Sequence, residues 1–200
     1  AALRRFSWKG RPFETRLLGS YQPFNAALAL TAADVLCGRG WAISDEAAAS
    51  GIASARWPGR FEVVDTAPLT IVDGGHNPQG AEALAASLAD LLGGEGCASV
   101  DFALGVLADK DYRAMVRAVM PWARSFSVYA PRSPRALAAE ELAACVRKVL
   151  GEEGRADDVP VRVCSAPADA LSAARAAAGP EGCAVAFGTL YAIADLMAAL

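Results

Sequence analysis

Residues 69–78 read Leu-Thr-Ile-Val-Asp-Gly-Gly-His-Asn-Pro. A short apolar strand runs into an acid, two glycines and the only histidine of the chain. An Asn-Pro step then opens a helix: asparagine is a favoured N-cap, and proline at the first helical position forfeits no hydrogen bond. A strand that turns so abruptly into a helix belongs in an open α/β sheet, which keeps its ligands at the carboxyl ends of its strands. Asp73 and His76 share that turn.

The rest of the chain agrees with this unit. Residues 3–8 and 14–18 read as a hairpin around Lys9-Gly10-Arg11-Pro12. A helix is expected from Pro23 to Cys37, with Phe24, Leu28, Val35 and Leu36 among its apolar residues. A second helix, capped by Ser44, is expected to end near Arg56. Trp57-Pro58-Gly59 breaks the pattern, which places a domain boundary there and divides the chain into 1–57 and 58–200. Beyond it, strands are predicted at 60–65, 69–73, 99–105, 125–130, 160–164 and 183–188. Helices fall between them at 78–92, 110–122, 138–150 and 167–178, with a last one over 189–200. Three apolar stripes carry this reading: Ala81, Leu84, Ala85, Leu88 and Leu92; Leu142, Val146, Val149 and Leu150; Leu190, Ile193, Ala194 and Met197. The alternation predicts an α/β fold, a mostly parallel Rossmann-like sheet with helices on both faces. Only Thr66-Ala67-Pro68 separates the first two strands, too short for a crossover, so one strand should be antiparallel.

Composition narrows the function. The formal net charge of −3 comes with no dense basic stripe, which argues against nucleic acid or an anionic membrane as partner. No apolar run approaches the roughly 20 residues that span a bilayer, and Ala-Ala-Leu-Arg-Arg-Phe is no signal peptide, so a cytoplasmic protein is expected. Five scattered cysteines and one histidine suit reduced core thiols and cannot supply a zinc site. No Gly-x-x-x-x-Gly-Lys-Ser/Thr loop occurs, so the chain cannot cradle a triphosphate in the usual way.

The expected hairpin pairs residues whose numbers sum to about 134, so Phe61 faces Asp73 and Arg60 emerges beside it. Asp109, Lys110 and Asp111, then Arg132, then Thr189 fall at the carboxyl ends of later strands. Several polar loops facing one crevice are what a ligand cleft requires. Plain connection chemistry explains Gly74, Gly75, Asn77 and Pro78 but leaves Asp73 and His76 over. A carboxylate there can accept from ribose hydroxyls or an amine, and an imidazole can stack on a base.

Trp57-Pro58-Gly59-Arg60-Phe61-Glu62 followed by Asp73-Gly-Gly-His-Asn-Pro resembles the WPGRFE and DGAHNP pair of folylpolyglutamate and dihydrofolate synthases, members of the Mur ligase superfamily. Gly75 stands where alanine is usual. Leu18-Gly19-Ser20-Tyr21-Gln22-Pro23-Phe24-Asn25-Ala26-Ala27 is similar to their LLGxHQxxNAxxA stretch, with Tyr21 where histidine is common. Gly105–Asp111, Pro131–Leu137 and Phe187-Gly188-Thr189-Leu190-Tyr191 are also family-like, with Thr189 in place of serine. The resemblance runs in order along essentially the whole chain.

It implies a Mur ligase C-terminal domain preceded by a remnant of the central ATPase domain. ATP would be the cofactor, with Mg2+ held by a missing N-terminal part. Asn25, Arg60 and Asp73 would contact the nucleotide, His76 would lie at the same interface, and Thr189 would serve the glutamate end. The implied reaction adds L-glutamate to folate or dihydropteroate through an acyl phosphate, and the chain alone, without a P-loop, is expected to be inactive. From the residues themselves, Asn25 could instead be a helix-start cap. Asp109, Lys110 and Asp111 read better as loop organisers, and Arg132 and Arg135 as surface or loop-bracing residues. A Mur-type cell-wall peptide ligase and a non-catalytic nucleotide- or amino-acid-binding module are the alternative readings.

Overall fold

The computed structural model describes residues 3–93 and 100–200. The chain divides into two compact units, Ala1–Pro58 and Gly59–Leu200.

In the first unit, β1 (Arg4–Trp8) and β2 (Arg11–Thr15) form an antiparallel hairpin in which Trp8 faces Arg11. The turn is therefore Lys9-Gly10, both at positive φ, and the second strand begins three residues earlier than expected. Helices α1 (Gln22–Cys37) and α2 (Asp45–Ser54) follow, and the Ser44 hydroxyl caps α2 by accepting from the Ala47 amide at 3.1 Å. The apolar residues expected along α1 are not its buried ones. Gln22, Ala26 and Leu30 are buried, whereas Phe24 is 80% exposed and Leu28 72%. The three buried residues are spaced four apart and so form one narrow face of the helix.

The second unit holds a six-stranded sheet in the order β3-β4-β8-β5-β6-β7. Its elements are β3 (Glu62–Thr66), β4 (Leu69–Val72), α3 (Pro78–Leu92), β5 (Val100–Leu104), α4 (Tyr112–Val119), β6 (Ala123–Val128), α5 (Ala139–Glu152), β7 (Val161–Val163), α6 (Pro167–Ala178), β8 (Cys183–Phe187) and α7 (Ile193–Met197). The strand predicted over 99–105 is β5; Ser99 and Cys97 lie outside the described residues. Among the described strands of this sheet only β3 is antiparallel. Its pairing follows the expected sum at Glu62↔Val72 and Val63↔Ile71, then slips by one at a bulge before Asp65.

After β5 the strand order runs outward to β7, and α6 carries the chain back to insert β8 between β4 and β5. Right-handed crossovers then put α3, α4 and α5 on one face and α6 on the other. Side-chain size follows this division. Phe102, Phe126 and Phe187 cluster on one face, with ring centroids 5.4 and 5.6 Å apart. Ala103, Ala184 and Ala186 point the opposite way, against Ala170, Leu171, Ala174 and Ala178 of α6. The alanine-rich composition thus serves close helix-on-sheet packing. The stripes on α3 and α5 are buried at Ala81, Leu84 and Leu88 and at Leu142, Val146, Val149 and Leu150.

The final helix departs from expectation. Leu190–Ala192 form a tight 3-10 turn before α7, and Ala192 and Leu196 are the buried residues. Leu190 and Ala194, expected inside, are exposed. A 3-10 turn advances about three residues per turn rather than 3.6, which rotates the phase of everything after it.

Candidate functional site

Asp73 leaves the end of β4 with its side chain 4% exposed. One carboxylate oxygen accepts from the Gly75 amide at 2.7 Å, the other from the Phe61 amide at 2.8 Å. Phe61 is itself buried with φ of 48°, a left-handed conformation that costs an aromatic residue on the order of 1–3 kcal/mol. Asp73 thus holds the amide of a strained residue, and the kink places exposed Arg60 at the carboxyl end of β4. Burial pushes the Asp73 carboxyl upward from its ordinary value; the two amides, Arg60 and His76 pull it back. His76 is half-buried, its Nδ1 3.0 Å from the Gly74 carbonyl. A carbonyl only accepts, so this bond requires the proton on Nδ1 and leaves Nε2 of the neutral ring as an acceptor. Asn77 caps α3, accepting from Gly80 at 2.7 Å.

Backbone-to-backbone contacts join this turn to its neighbours. The Gly74 amide donates to the Gly59 carbonyl at 2.7 Å, and the Gly188 amide to Gly75 at 3.1 Å. A Cβ on Gly74 would collide with Leu190, and one on Gly188 (φ 114°) with the Gly105 carbonyl. A Cβ on Gly105 would strike the Tyr129 ring. Strands β4, β8 and β5 therefore end in a row of glycines too tightly packed for side chains. Loops leave β4 and β8 toward opposite faces here, the switch point where open sheets place ligands. The sequence offers Gly105 and Gly188 only as strand-end members of family-like motifs; nothing local to either signals their close packing.

Residues 59–190 match the family described as Mur ligase, glutamate ligase domain. The chain belongs to that family. The folylpolyglutamate synthase of Lacticaseibacillus casei is 35% identical over 126 residues, covering 62% of this chain and 28% of that protein. The dihydrofolate synthase/folylpolyglutamate synthase of Bacillus subtilis is 36% identical over 129 residues, covering 64% and 29%. The structure of Mycobacterium tuberculosis folylpolyglutamate synthase complexed with ADP aligns with a TM-score of 0.76 at 29% identity, covering 98% of this chain and 46% of that one. The chain thus spans less than half the length of these relatives and corresponds to their C-terminal portion.

Other polar residues of the glutamate ligase domain have structural partners. Thr189 is buried, and its hydroxyl accepts from the Tyr191 amide at 3.2 Å. Asp111 caps α4 through the Ala114 amide at 3.0 Å. Asp109 pairs with Arg135 at 2.5 Å and Lys110 at 3.4 Å, and Arg135 beside it holds its carboxyl below the usual range. Arg132 lies 3.6 Å from Asp195. In the first unit, exposed Asn25 donates to Gln22 at 3.0 Å from within α1, whose N-cap is Tyr21, so it is no helix-start cap. Among the described residues no cluster of three His, Cys, Asp or Glu could hold a metal, and no helix is long and apolar enough to cross a membrane.

Proposed function

We propose that this chain is part of an ATP-dependent ligase that adds L-glutamate to folate or dihydropteroate, and that the 59–61 and 73–76 segments form one side of its nucleotide site. The observation that carries the reading is the lock between them: the Asp73 carboxylate holds the strained Phe61 amide and so fixes where Arg60 emerges. Strain of this kind persists where surrounding structure enforces it, commonly at ligand sites. Bound ATP supplies the phosphoryl group that activates the substrate carboxyl for attack by the amine of glutamate. The chain's own residues bind and orient. Exposed Arg60 offers planar, charge-assisted donors to phosphate or ribose oxygens. Each Asp73 oxygen, already bonded to one amide, retains a second lone pair for a ribose hydroxyl. His76, in the same turn, is proposed to meet nucleotide or incoming glutamate, and Asn25 is proposed as a further nucleotide contact. Without a P-loop, this chain alone is expected neither to hydrolyse ATP nor to ligate glutamate, any Mg2+ being held elsewhere in the longer protein.

The test uses the full-length ligase and the 200-residue chain side by side. Arg60→Ala and Asp73→Ala in the longer protein are expected to raise the KM for ATP at least about tenfold, the loss of one charge-assisted contact. An unchanged nucleotide dependence in both variants would sink the site. Ligation by the 200-residue chain at rates near those of the full-length protein would sink the division of labour. Turnover of UDP-muramyl substrates in place of dihydropteroate or folate would overturn the substrate assignment.

A further inference from the structure

Leu190 and Ile193 stand three residues apart in the tight turn after β8, and the Ile193 amide closes that turn on the Leu190 carbonyl. In a 3-10 turn residues three apart eclipse one another, so both side chains point the same way. In a regular α-helix the same pair would be offset by about 60°. The two side chains meet two glycines. An ideal Cβ on Gly74 would collide with Leu190 Cδ2, and one on Gly59 would lie 2.6 Å from Ile193 Cδ1. Those glycines are themselves bonded, the Gly74 amide donating to the Gly59 carbonyl at 2.7 Å. Just before the turn, the Gly188 amide donates to the Gly75 carbonyl at 3.1 Å. Two aligned side chains thus occupy the spaces that two neighbouring glycines leave.

We propose that Leu190 and Ile193 are positioning residues, a brace that sets how the 59–61 and 73–76 segments sit side by side. A hydrogen bond between two backbones fixes their distance but lets them hinge about it; close-packed side chains against both remove that freedom. Leu190 is 52% exposed, so it adds less to global stability than a fully buried leucine would. Its effect is local, because it lies against the residue that follows Asp73, while Ile193 lies against the residue that precedes Arg60. A shift at either glycine therefore passes directly to a side chain of the site. The consequence for ligation rests on the reading above, in which these segments meet nucleotide.

Amide hydrogen exchange in the 200-residue chain tests the brace itself. Leu190→Ala removes the methyl seated at Gly74 and is expected to speed exchange of the Gly74 and Phe61 amides several-fold. Ile193→Val deletes only Cδ1 and should act in the same direction to a smaller extent. The Tyr129 amide, bonded to the Leu104 carbonyl at 3.0 Å, and the melting temperature should change little. Leu190→Met keeps the reach of the side chain and should restore slow exchange. Gly74→Ala drives Leu190 from the same space, so at the Phe61 amide the Gly74→Ala/Leu190→Ala double variant should be no worse than the poorer single one. Unmoved Gly74 and Phe61 amides in Leu190→Ala, equal acceleration at Tyr129, or additive effects in the double variant overturn the proposal. In the full-length ligase Leu190→Ala is expected to raise the KM for ATP about fivefold, with a smaller change in kcat, and Leu190→Met to recover it. If exchange responds and the KM for ATP does not, the brace stands and it is the assignment of these segments to nucleotide that fails.

Discussion

Asp73 is the residue on which the site turns, and its environment makes a definite demand on its chemistry. Both oxygens face backbone amides, so only a group that accepts at both positions fits. Asp73→Asn keeps the shape but aims an NH2 at one amide, and should cost about 1–3 kcal/mol. Urea unfolding of the 200-residue chain checks this, as a lower midpoint at unchanged m. The pH dependence has a sign. Because burial raises the Asp73 carboxyl, the folded state holds its proton longer than the unfolded one. Its contribution is therefore greatest below the ordinary value of 3.8 and is lost as pH rises through the raised one. Asp109 and Glu152, lowered chiefly by their hydrogen bonds to Arg135 and Arg113, behave oppositely and lose their contribution as pH falls. The wild-type margin over Asp73→Asn should consequently narrow from pH 4 toward neutrality, and a margin that widens would contradict the burial argument.

At the scale of elements, strand ends rather than strand bodies determine the site. The glycine row at the ends of β4, β8 and β5 admits no Cβ, and the obstacle at Gly188 is the Gly105 carbonyl, which cannot rotate away. Gly188→Ala should thus destabilise by more than about 2 kcal/mol, combining positive-φ strain with a backbone clash. Gly93→Ala is the matched control. It too has positive φ but no described residue within 4 Å of its Cβ, and should cost about 1 kcal/mol or less. Comparable melting shifts in the two variants would show that conformation, not close approach, governs the row. This contrast was not legible in the sequence, where both are glycines after apolar segments. By contrast, the Asn77 and Ser44 caps and the β3–β4 hairpin could be read directly, because each depends on residues close in the chain. The faces of α1 and α7 could not. Which side of a helix is buried depends on what lies beside it and, for α7, on the 3-10 turn that resets its phase.

At the scale of the molecule, residues 59–200 carry a two-faced core of their own, large aromatic residues on one side and alanine-lined α6 on the other. At the amino end of the sheet the buried carboxylate of Asp101 is matched by Arg124 and by Ser125 at 2.5 Å, so its charge is compensated within this unit. Residues 59–200 produced alone should therefore fold, with a cooperative thermal transition and the far-ultraviolet signature of an α/β protein. Loss of cooperativity on removing 1–58 would show that the core is incomplete without them. Sequence alone determined the order of elements, the parallel sheet with its single antiparallel strand, and the family, because periodicity, turn residues and ordered motifs are local properties. Only the tertiary structure decided that Asp73 holds Phe61, that Gly105 and Gly188 interlock, and that Arg135 pairs with Asp109 across two loops. Those contacts unite residues far apart in the chain, and their distances follow from how strands and helices pack rather than from any one segment.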